Sequence, residues 1–359
     1  MPTRRIDITV DPDFSRLEKV LRRQGTPDRV PFAELFSNIE PQTLEAVGAP
    51  VEPIPDDPDP RAGQLRRHMA CMVALGYDYI NVLPQNNQFP QAERAIGVTA
   101  EGERGYLKGS THLIADRRDY EAYPWPNPSE VDYSSFEVAA GLIPDGMKVI
   151  SRGPGGVLEN VMWLLGYEGT SYLLYEDPEL VRDMFEAVGS RIVSCFDAVA
   201  SFDIVGAIVL GDDLGFKTQT LLSPASYREY LFPWHKKIVD AVHRHGKLAI
   251  LHACGNVTEI MDDIIACGWD ARHSFEDVIE PVWEAKERYG DRISVLGGFD
   301  MDKLCTMSED EVRAHTRFLI DCCAPGGGWA LGTGNSVANY IPLENYLAML
   351  DEGLRYGVY

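Results

Sequence analysis

The chain has 359 residues, of which 55 are acidic and 33 are basic, so its formal net charge at neutral pH is -22. Such an excess of carboxylates repels phosphate backbones and anionic lipid headgroups, so we expect neither a nucleic acid nor a membrane as a partner. No apolar run reaches the length of a membrane-spanning helix and no secretory signal opens the sequence, so the expected location is the cytoplasm.

In chain order, the predicted elements begin with an N-terminal arm and a short helix over residues 1–27. Apolar runs that end at polar or glycine residues then recur, and this pattern is typical of strands buried in a parallel sheet. The runs are centred at about residues 32, 80, 149, 207, 250, 272, 295 and 330, and a helical pattern follows each of them. Eight βα units predict an α/β fold, a closed (β/α)8 TIM barrel that occupies residues 1–359 as a single domain.

One segment interrupts the alternation of strands and helices. From about residue 90 to residue 130 the sequence is rich in turns, for example in GVTAEGERGYLKG. Short alternating stretches around a glycine turn favour a β-hairpin over a helix. We therefore predict a β-hairpin insertion after the second strand, lying over the mouth of the barrel.

The stretch LAILHACGNV, residues 248–257, suggests a metal site. It is an apolar run that ends in a turn, and side chains two apart on a strand point to the same face. His252 and Cys254 should therefore point together at the carboxyl end of the strand. Imidazole and thiolate are the donors that zinc prefers, so zinc is the predicted ion. The alternative is a buried histidine beside an inert buried cysteine.

Polar side chains follow the other predicted strands as well. If the barrel forms, they gather around its mouth, although many of them would also serve as helix caps. They are Glu34, Asn81, Gln85, Arg152, Asp212, Asp213, His273, Glu276, Asp277, Asp300 and Asn335. The further zinc ligands remain open among His273, Glu276, Asp212, Asp213 and Glu34. The neighbouring Cys322 and Cys323 are excluded because their helix should end at the bottom of the barrel.

Several common signatures are missing from the sequence. GxGxxG after a first strand, GxxxxGK[ST] and GxSxG do not occur, which leaves no support for a dinucleotide cradle, a P-loop or a serine hydrolase. The glycine-rich segment Arg152–Gly156 could hold an anion on its backbone amides or form a tight turn, and the turn is the simpler interpretation.

Three segments of the second half carry a resemblance to a known family. They are LHACGN at 251–256, AKERYGDRISVLGGFD at 285–300 and LGTGNSVANYIPLENYLAMLDEG at 331–353. Together with the helical stretch SPASYREYLFPWHKKIVDAVHRHG, they resemble the uroporphyrinogen decarboxylase superfamily, which includes zinc- and cobalamin-dependent methyltransferases. The resemblance implies a (β/α)8 barrel and covers most of residues 200–359.

Two departures from the family pattern bear on the choice of branch. The arginine-rich RQAGRYLPEY of the decarboxylases is replaced by VPFAELFSNIEPQT, so the grip on porphyrinogen carboxylates is missing. The methyltransferases carry a further zinc cysteine after the last strand, and here Asn335 occupies that position. The resemblance therefore implies a methyltransferase whose zinc is harder and more electrophilic, and acts as a Lewis acid.

On this interpretation the cobalt of a corrinoid protein, a separate partner, takes the methyl group from a small donor, for which methoxylated compounds are candidates. His252 and Cys254 bind zinc, and Asp212, Asp213 or Glu276 protonates the leaving group. The mouth residues Glu34, Arg152, His273 and Asn335 are the candidate substrate-binding residues.

Two alternatives belong to other classes. One is a metal-free carboxy-lyase of the uroporphyrinogen decarboxylase kind, which acts on an acidic substrate and requires a cationic pocket. The other is a non-catalytic tetrapyrrole- or corrinoid-binding protein. The sequence leaves open whether the chain forms a homo-oligomer.

Overall fold

The computed structural model describes residue 6 and residues 11–35, 41–49, 60–91, 95–99, 102–106, 112–338 and 340–359. The strands in these residues are β1 (Tyr79–Asn81), β2 (Ala95–Thr99), β3 (Gly102–Tyr106), β4 (Lys148–Arg152), β5 (Val205–Gly211), β6 (Leu248–His252), β7 (Ala271–His273), β8 (Ser294–Leu296) and β9 (Trp329–Ala330). Seven of them form one sheet in the order β1-β4-β5-β6-β7-β8-β9. Every neighbouring pair in this sheet is parallel, so the predicted α/β class is confirmed.

The predicted first strand is reduced to isolated bridges, so the prediction of eight full strands is wrong for the described residues. Phe32 pairs in parallel with Leu331, next to β9. On the other side, the Tyr79 hydroxyl of β1 accepts a hydrogen bond from the Glu34 N–H at 2.6 Å and donates one to the Glu34 carbonyl oxygen at 2.8 Å. A side chain thus replaces the backbone ladder between this segment and β1, and residues 31–34 lie between the two edge strands of a barrel-like sheet.

Helices connect the strands and cover the sheet. They are α1 (Ser15–Leu21), α2 (Pro41–Ala46), α3 (Pro60–Leu75), α4 (Arg117–Ala122), α5 (Ser134–Ala140), α6 (Val157–Leu165), α7 (Tyr167–Glu176), α8 (Pro178–Ala200), α9 (Pro224–Ser226), α10 (Phe232–His243), α11 (Met261–Ala266), α12 (Val282–Tyr289), α13 (Met301–Thr306), α14 (Glu309–Cys323) and α15 (Leu343–Tyr356). Short 3-10 turns lie at Pro128–Glu130 and Thr258–Ile260, and a π-helical turn at Tyr227–Leu231 joins α9 to α10.

Local chemistry explains where the longest helix begins. The Asp177 side chain accepts a hydrogen bond from the Leu180 N–H, and Pro178 occupies the first helical position of α8. Proline is favoured there because its missing N–H would have no partner inside the helix. One face of α8 is buried, and the helix packs against β5 and against the helices α6 and α10.

The segment predicted as an inserted hairpin contains two antiparallel strands. β2 pairs with β3 from Ala95 opposite Tyr106 to Thr99 opposite Gly102. Residues 92–94, 100–101 and 107–111 of the predicted insertion lie outside the described residues, as do residues 1–5 and 7–10 of the predicted arm. The position of the hairpin over the barrel mouth stays a prediction. Within the described chain, no helix combines the length and the apolar character that a bilayer crossing requires.

Candidate metal centre

Two donor atoms meet at the carboxyl end of β6. This strand is buried along its whole length and ends at His252, and the chain turns sharply at Cys254 and Gly255. The His252 Nε2 atom and the Cys254 Sγ atom lie 3.4 Å apart. A nitrogen and a sulfur donor therefore converge just beyond the end of the strand.

A carboxylate from the neighbouring strand joins them. Asp213 follows the end of β5, and its Oδ1 atom lies 3.9 Å from His252 Nε2. The same oxygen accepts a hydrogen bond from the Cys254 N–H at 2.9 Å, which holds the two loops together. The three donor atoms all lie within 4.8 Å of one another. Among the open candidates for a third ligand, Asp213 is the one that the structure brings to this point.

The donor set fits a zinc ion. Zinc bonds of about 2.0–2.3 Å in a tetrahedral arrangement place ligand atoms about 3.3–3.8 Å apart, close to the separations found here. Burial lowers the pKa of His252 well below its usual value, and the charges near it, on Arg272 and Arg152 among others, act in the same direction. The imidazole is therefore neutral, as a metal ligand must be. Burial, and then the Asp213 charge, raises the pKa of the Cys254 thiol, and a bound divalent cation reverses this effect.

A second histidine fixes which nitrogen of His252 faces the site. The His273 Nε2 atom lies 3.1 Å from the Thr333 carbonyl oxygen, and its Nδ1 atom lies 2.7 Å from the His252 Nδ1 atom. A carbonyl can only accept, so His273 carries its proton on Nε2 and its Nδ1 atom is an acceptor. His252 must then carry its own proton on Nδ1. Its Nε2 lone pair is therefore available to a metal that Asp213 and Cys254 also bind, as in other histidine–metal sites.

His273, which the sequence predicts to contact substrate, does not line the metal cavity. Its side chain is fully buried behind His252, and burial lowers its pKa to about 4, so it stays neutral. Glu34, also predicted to bind substrate, is equally buried, and its carboxyl group contacts Thr333 through both the N–H and the hydroxyl. Burial raises the pKa of Glu34 to about 8. Both residues support the site from behind.

Asp212 does not face the mouth of the barrel, although the sequence could not separate it from Asp213. Its side chain is fully buried and accepts hydrogen bonds from the N–H groups of Val157, Leu158 and Glu159 at the start of α6. His235 Nε2 lies 2.9 Å from the same carboxylate. The helix N-terminus after the glycine turn therefore already binds an anion, which is a side chain of the protein itself. Asp212 does not line the metal cavity, and its buried, hydrogen-bonded position argues against the predicted role as a proton donor.

A cavity of about 570 Å³, the metal cavity, opens in front of the three donor atoms. Its lining residues are Leu83, Gln88, Arg152, Gly153, Gly155, Glu159, Val209, Gly211, Asp213, His252, Cys254, Asn335 and Ser336. Arg152 and Asn335 are therefore placed where the sequence predicted them. Glu276 lines an adjoining cavity of about 630 Å³ that shares only Asn335 and Ser336 with the metal cavity.

Glu159 is a lining residue that the sequence analysis did not find. It lies in the first turn of α6, where its carboxylate accepts a hydrogen bond from the Gly156 N–H at 3.2 Å. Burial, and then the charges of Asp212 and Asp213, raises its pKa to about 8. The spacing of Gly156 and Glu159 at a helix start is that of a capping box and could have signalled this position.

Comparisons with known proteins agree with the fold. A methylated-thiol–coenzyme M methyltransferase of Methanosarcina mazei is 27% identical over 186 residues, which cover 52% of this chain and 47% of that protein. A methylcobamide:CoM methyltransferase of Methanosarcina barkeri is 28% identical over 168 residues, 46% of this chain and 42% of that protein. The chain thus matches somewhat less than half the length of these relatives.

A solved structure described as a methyltransferase from Methanosarcina mazei shares the fold, with a TM-score of 0.65 and 18% sequence identity over 95% of this chain and 98% of that chain. The model of the family described as Uroporphyrinogen decarboxylase (URO-D) matches residues 152–356, more than half of the chain. This match includes β5 to β9 and all three donor residues of the metal cavity. The chain belongs to the uroporphyrinogen decarboxylase (URO-D) family.

Proposed function

We propose that this protein is a methyltransferase that moves a methyl group from a small donor to the cobalt of a corrinoid carried by a partner protein. The observation that carries the proposal is the convergence of His252 Nε2, Cys254 Sγ and Asp213 Oδ1 on the metal cavity. The relatives named above act in methyl transfer to coenzyme M, one of them from methylcobamide, which supports the same class of chemistry.

The residues of the chain divide the work. His252, Cys254 and Asp213 would hold zinc, which when bound supplies a Lewis acid that polarises the leaving atom of the donor. His273 fixes the tautomer and the ring orientation of His252. Asp213 is the most exposed of the three donors, with 45% of its side chain accessible, so the site is open on its side. Glu276 would reach the leaving group from the adjoining cavity and protonate it.

A carboxy-lyase acting on an acidic substrate is the second candidate, and one observation favours it. Arg152 lines both the metal cavity and a further cavity of about 510 Å³, which Arg61 also lines. Two guanidinium groups near one cavity suit a substrate carboxylate. Asp132 lies near Arg61 and reduces the positive charge there: hydrogen bonds from Ser134, and then the Arg61 charge, lower the pKa of Asp132.

Metal analysis and a methyl-transfer assay test the proposal. Purified protein supplied with zinc should retain stoichiometric metal, and His252→Ala or Cys254→Ser should lose it. His245→Ala is the matched control, because His245 is paired with Asp197 outside the metal cavity. Wild-type protein should methylate reduced cobalamin from at least one member of a panel of methoxyaromatic and methylamine donors, in a zinc-dependent way. A protein that binds no zinc and transfers no methyl group, but releases CO2 from an acidic substrate, would establish the lyase instead.

Cytoplasmic location and the corrinoid protein as partner belong to the same proposal. None of the seven cysteines, all of which lie in the described residues, forms a disulfide, and this suits a reducing compartment.

A further inference from the structure

Asn335 presents its N–H group, and not its oxygen, to the sulfur of Cys254. The Asn335 Oδ1 atom accepts the Ser336 N–H at 2.8 Å, and a backbone N–H can only donate. The amide orientation is therefore fixed, and the Nδ2 atom lies 3.2 Å from Cys254 Sγ and 3.5 Å from Ser274 Oγ. The Cys254 sulfur thus has a fixed hydrogen-bond donor on the side of the loop after β9.

The loop that carries Asn335 is held by its backbone. The Thr333 hydroxyl donates to the Asn335 carbonyl oxygen at 2.7 Å. Gly334 donates its N–H to the Phe299 carbonyl at 2.7 Å, and its own carbonyl accepts the Phe275 N–H at 3.0 Å. A Cβ atom on Gly334 would lie 2.2 Å from the Phe275 oxygen, so the chain passes where only glycine fits. The backbone of this loop therefore holds Asn335 in place beside the Cys254 sulfur.

We propose that Asn335 is a positioning residue that withdraws electron density from the Cys254 sulfur and so makes a metal bound there more electrophilic. Hydrogen bonds to a sulfur ligand reduce the charge that it donates, and such outer contacts tune the metal. This inference rests on the proposed function and narrows it. A more electrophilic metal polarises a hard leaving atom, so the donor class it selects is methyl ethers over methyl thioethers.

The corresponding reaction balances without a further reagent. The bond between the methyl carbon and the ether oxygen breaks, and the reduced corrinoid supplies both electrons of the new cobalt–carbon bond. The oxygen keeps the electron pair of the broken bond and takes a proton, so an alcohol or phenol leaves. Asn335 acts only through Cys254 and does not touch the reacting atoms.

Substitution of cobalt(II) for zinc gives a readout that does not depend on activity. A thiolate ligand produces a sulfur-to-cobalt charge-transfer band, whose energy falls when the sulfur becomes richer in electrons. Asn335→Leu keeps the branching and the number of heavy atoms of the side chain and removes the donor, so we expect its band at a longer wavelength than that of the wild type. Asn127→Ala is the matched control, since this asparagine caps the turn at Pro128–Glu130 and its band should not move.

The outcomes separate the inference from the proposed function. A wild-type band that Asn335→Leu leaves in place overturns the role of Asn335, while the metal site stands. A cobalt-loaded wild type without any sulfur band removes Cys254 as a ligand and overturns both. For catalysis, the ratio of rates with a methyl ether to rates with the matching methyl thioether should fall about tenfold in Asn335→Leu. Because the ratio is measured within one protein, a partly folded sample does not change it, and an unchanged ratio contradicts the inference.

Discussion

The Nδ1 atoms of His252 and His273 lie 2.7 Å apart, which makes one histidine the hydrogen-bond partner of the other in a buried position. Burial keeps both rings neutral by lowering their pKa values. Because the Thr333 carbonyl oxygen accepts the proton of His273 Nε2, His273 Nδ1 must accept the proton of His252 Nδ1. A backbone atom of the loop after β9 thus decides which nitrogen β6 offers to a metal.

Replacement of His273 should therefore weaken metal binding without removing a ligand. His273→Leu leaves the His252 N–H without an acceptor, and loss of such a partner typically lowers metal affinity by about 10–100-fold. His273→Gln should keep more of the affinity, because its side-chain oxygen can accept the same proton. Zinc affinity is measured by competition with a chromophoric chelator, with His245→Ala as the control. Equal zinc affinities of His273→Leu and the wild type would show that His273 does not fix the tautomer of His252.

Replacement of the neighbouring Asp212 and Asp213 by asparagine should affect different properties: stability for Asp212 and zinc affinity for Asp213. Asp212→Asn removes charge from a buried group that accepts three N–H hydrogen bonds and contacts His235, so it should lower the free energy of unfolding by about 2–4 kcal/mol. Asp213→Asn alters a partly exposed side chain and should change stability by less than about 0.5 kcal/mol. Its zinc affinity should fall strongly, however, because a carboxylate ligand is lost.

Urea unfolding and chelator competition on both variants provide the two measurements. Asp212→Asn protein that is folded under the assay conditions should still bind zinc. A stable Asp212→Asn protein combined with a destabilised Asp213→Asn protein would reverse the assignment of the two residues.

Glu34 should make the protein less stable as the pH rises. Its pKa is about 8 in the folded protein and lies near the ordinary 4.5 in the unfolded chain, because burial disfavours the charged form. Between these values the folded state holds a proton that the unfolded state has released. The free energy of unfolding therefore falls with rising pH, by at most about 1.4 kcal/mol per pH unit, and the loss is complete above the folded pKa.

Glu34→Gln removes this titration and keeps a donor for the Thr333 hydroxyl. The urea unfolding midpoints of the two proteins are compared at several pH values between the unfolded and the folded pKa of Glu34. With rising pH, the midpoint of the wild type should decline more steeply than that of Glu34→Gln. Parallel declines would show that Glu34 is ionised in the folded protein.

Much of the fold could be predicted from the sequence because the relevant signals are local. Apolar runs of strand length that alternate with helical patterns mark β4, β5 and β6, and their parallel order follows from the connecting helices. The segment around Phe32 has the same local signal but forms only isolated bridges. The reason is tertiary, since the Tyr79 hydroxyl takes both backbone hydrogen bonds of Glu34.

The metal site was predictable in part for the same reason. The two-residue spacing of His252 and Cys254 is a local feature that places both side chains at one strand end. The choice between Asp212 and Asp213 depends on where the start of α6 lies in space relative to the end of β5. No local sequence pattern specifies that tertiary arrangement. Likewise, the orientation of the Asn335 amide is set by the Ser336 N–H, in a turn that the sequence does not predict.

The glycine at position 334 should be as important to the site as a ligand, although it has no side chain. Gly334→Ala places a methyl group 2.2 Å from the Phe275 carbonyl oxygen, and the backbone must shift to accept it. Crowding of this kind costs about 1–3 kcal/mol in a packed interior. Because the shift also moves Asn335, the sulfur-to-cobalt band of Gly334→Ala should move in the same direction as that of Asn335→Leu.

Gly169→Ala in α7 is the matched control, since no atom lies within 4 Å of its Cβ position and alanine favours a helix. Calorimetry and the cobalt spectrum measure the two effects, and a Gly334→Ala protein that is destabilised but keeps the wild-type band would show that Asn335 holds its place without the loop.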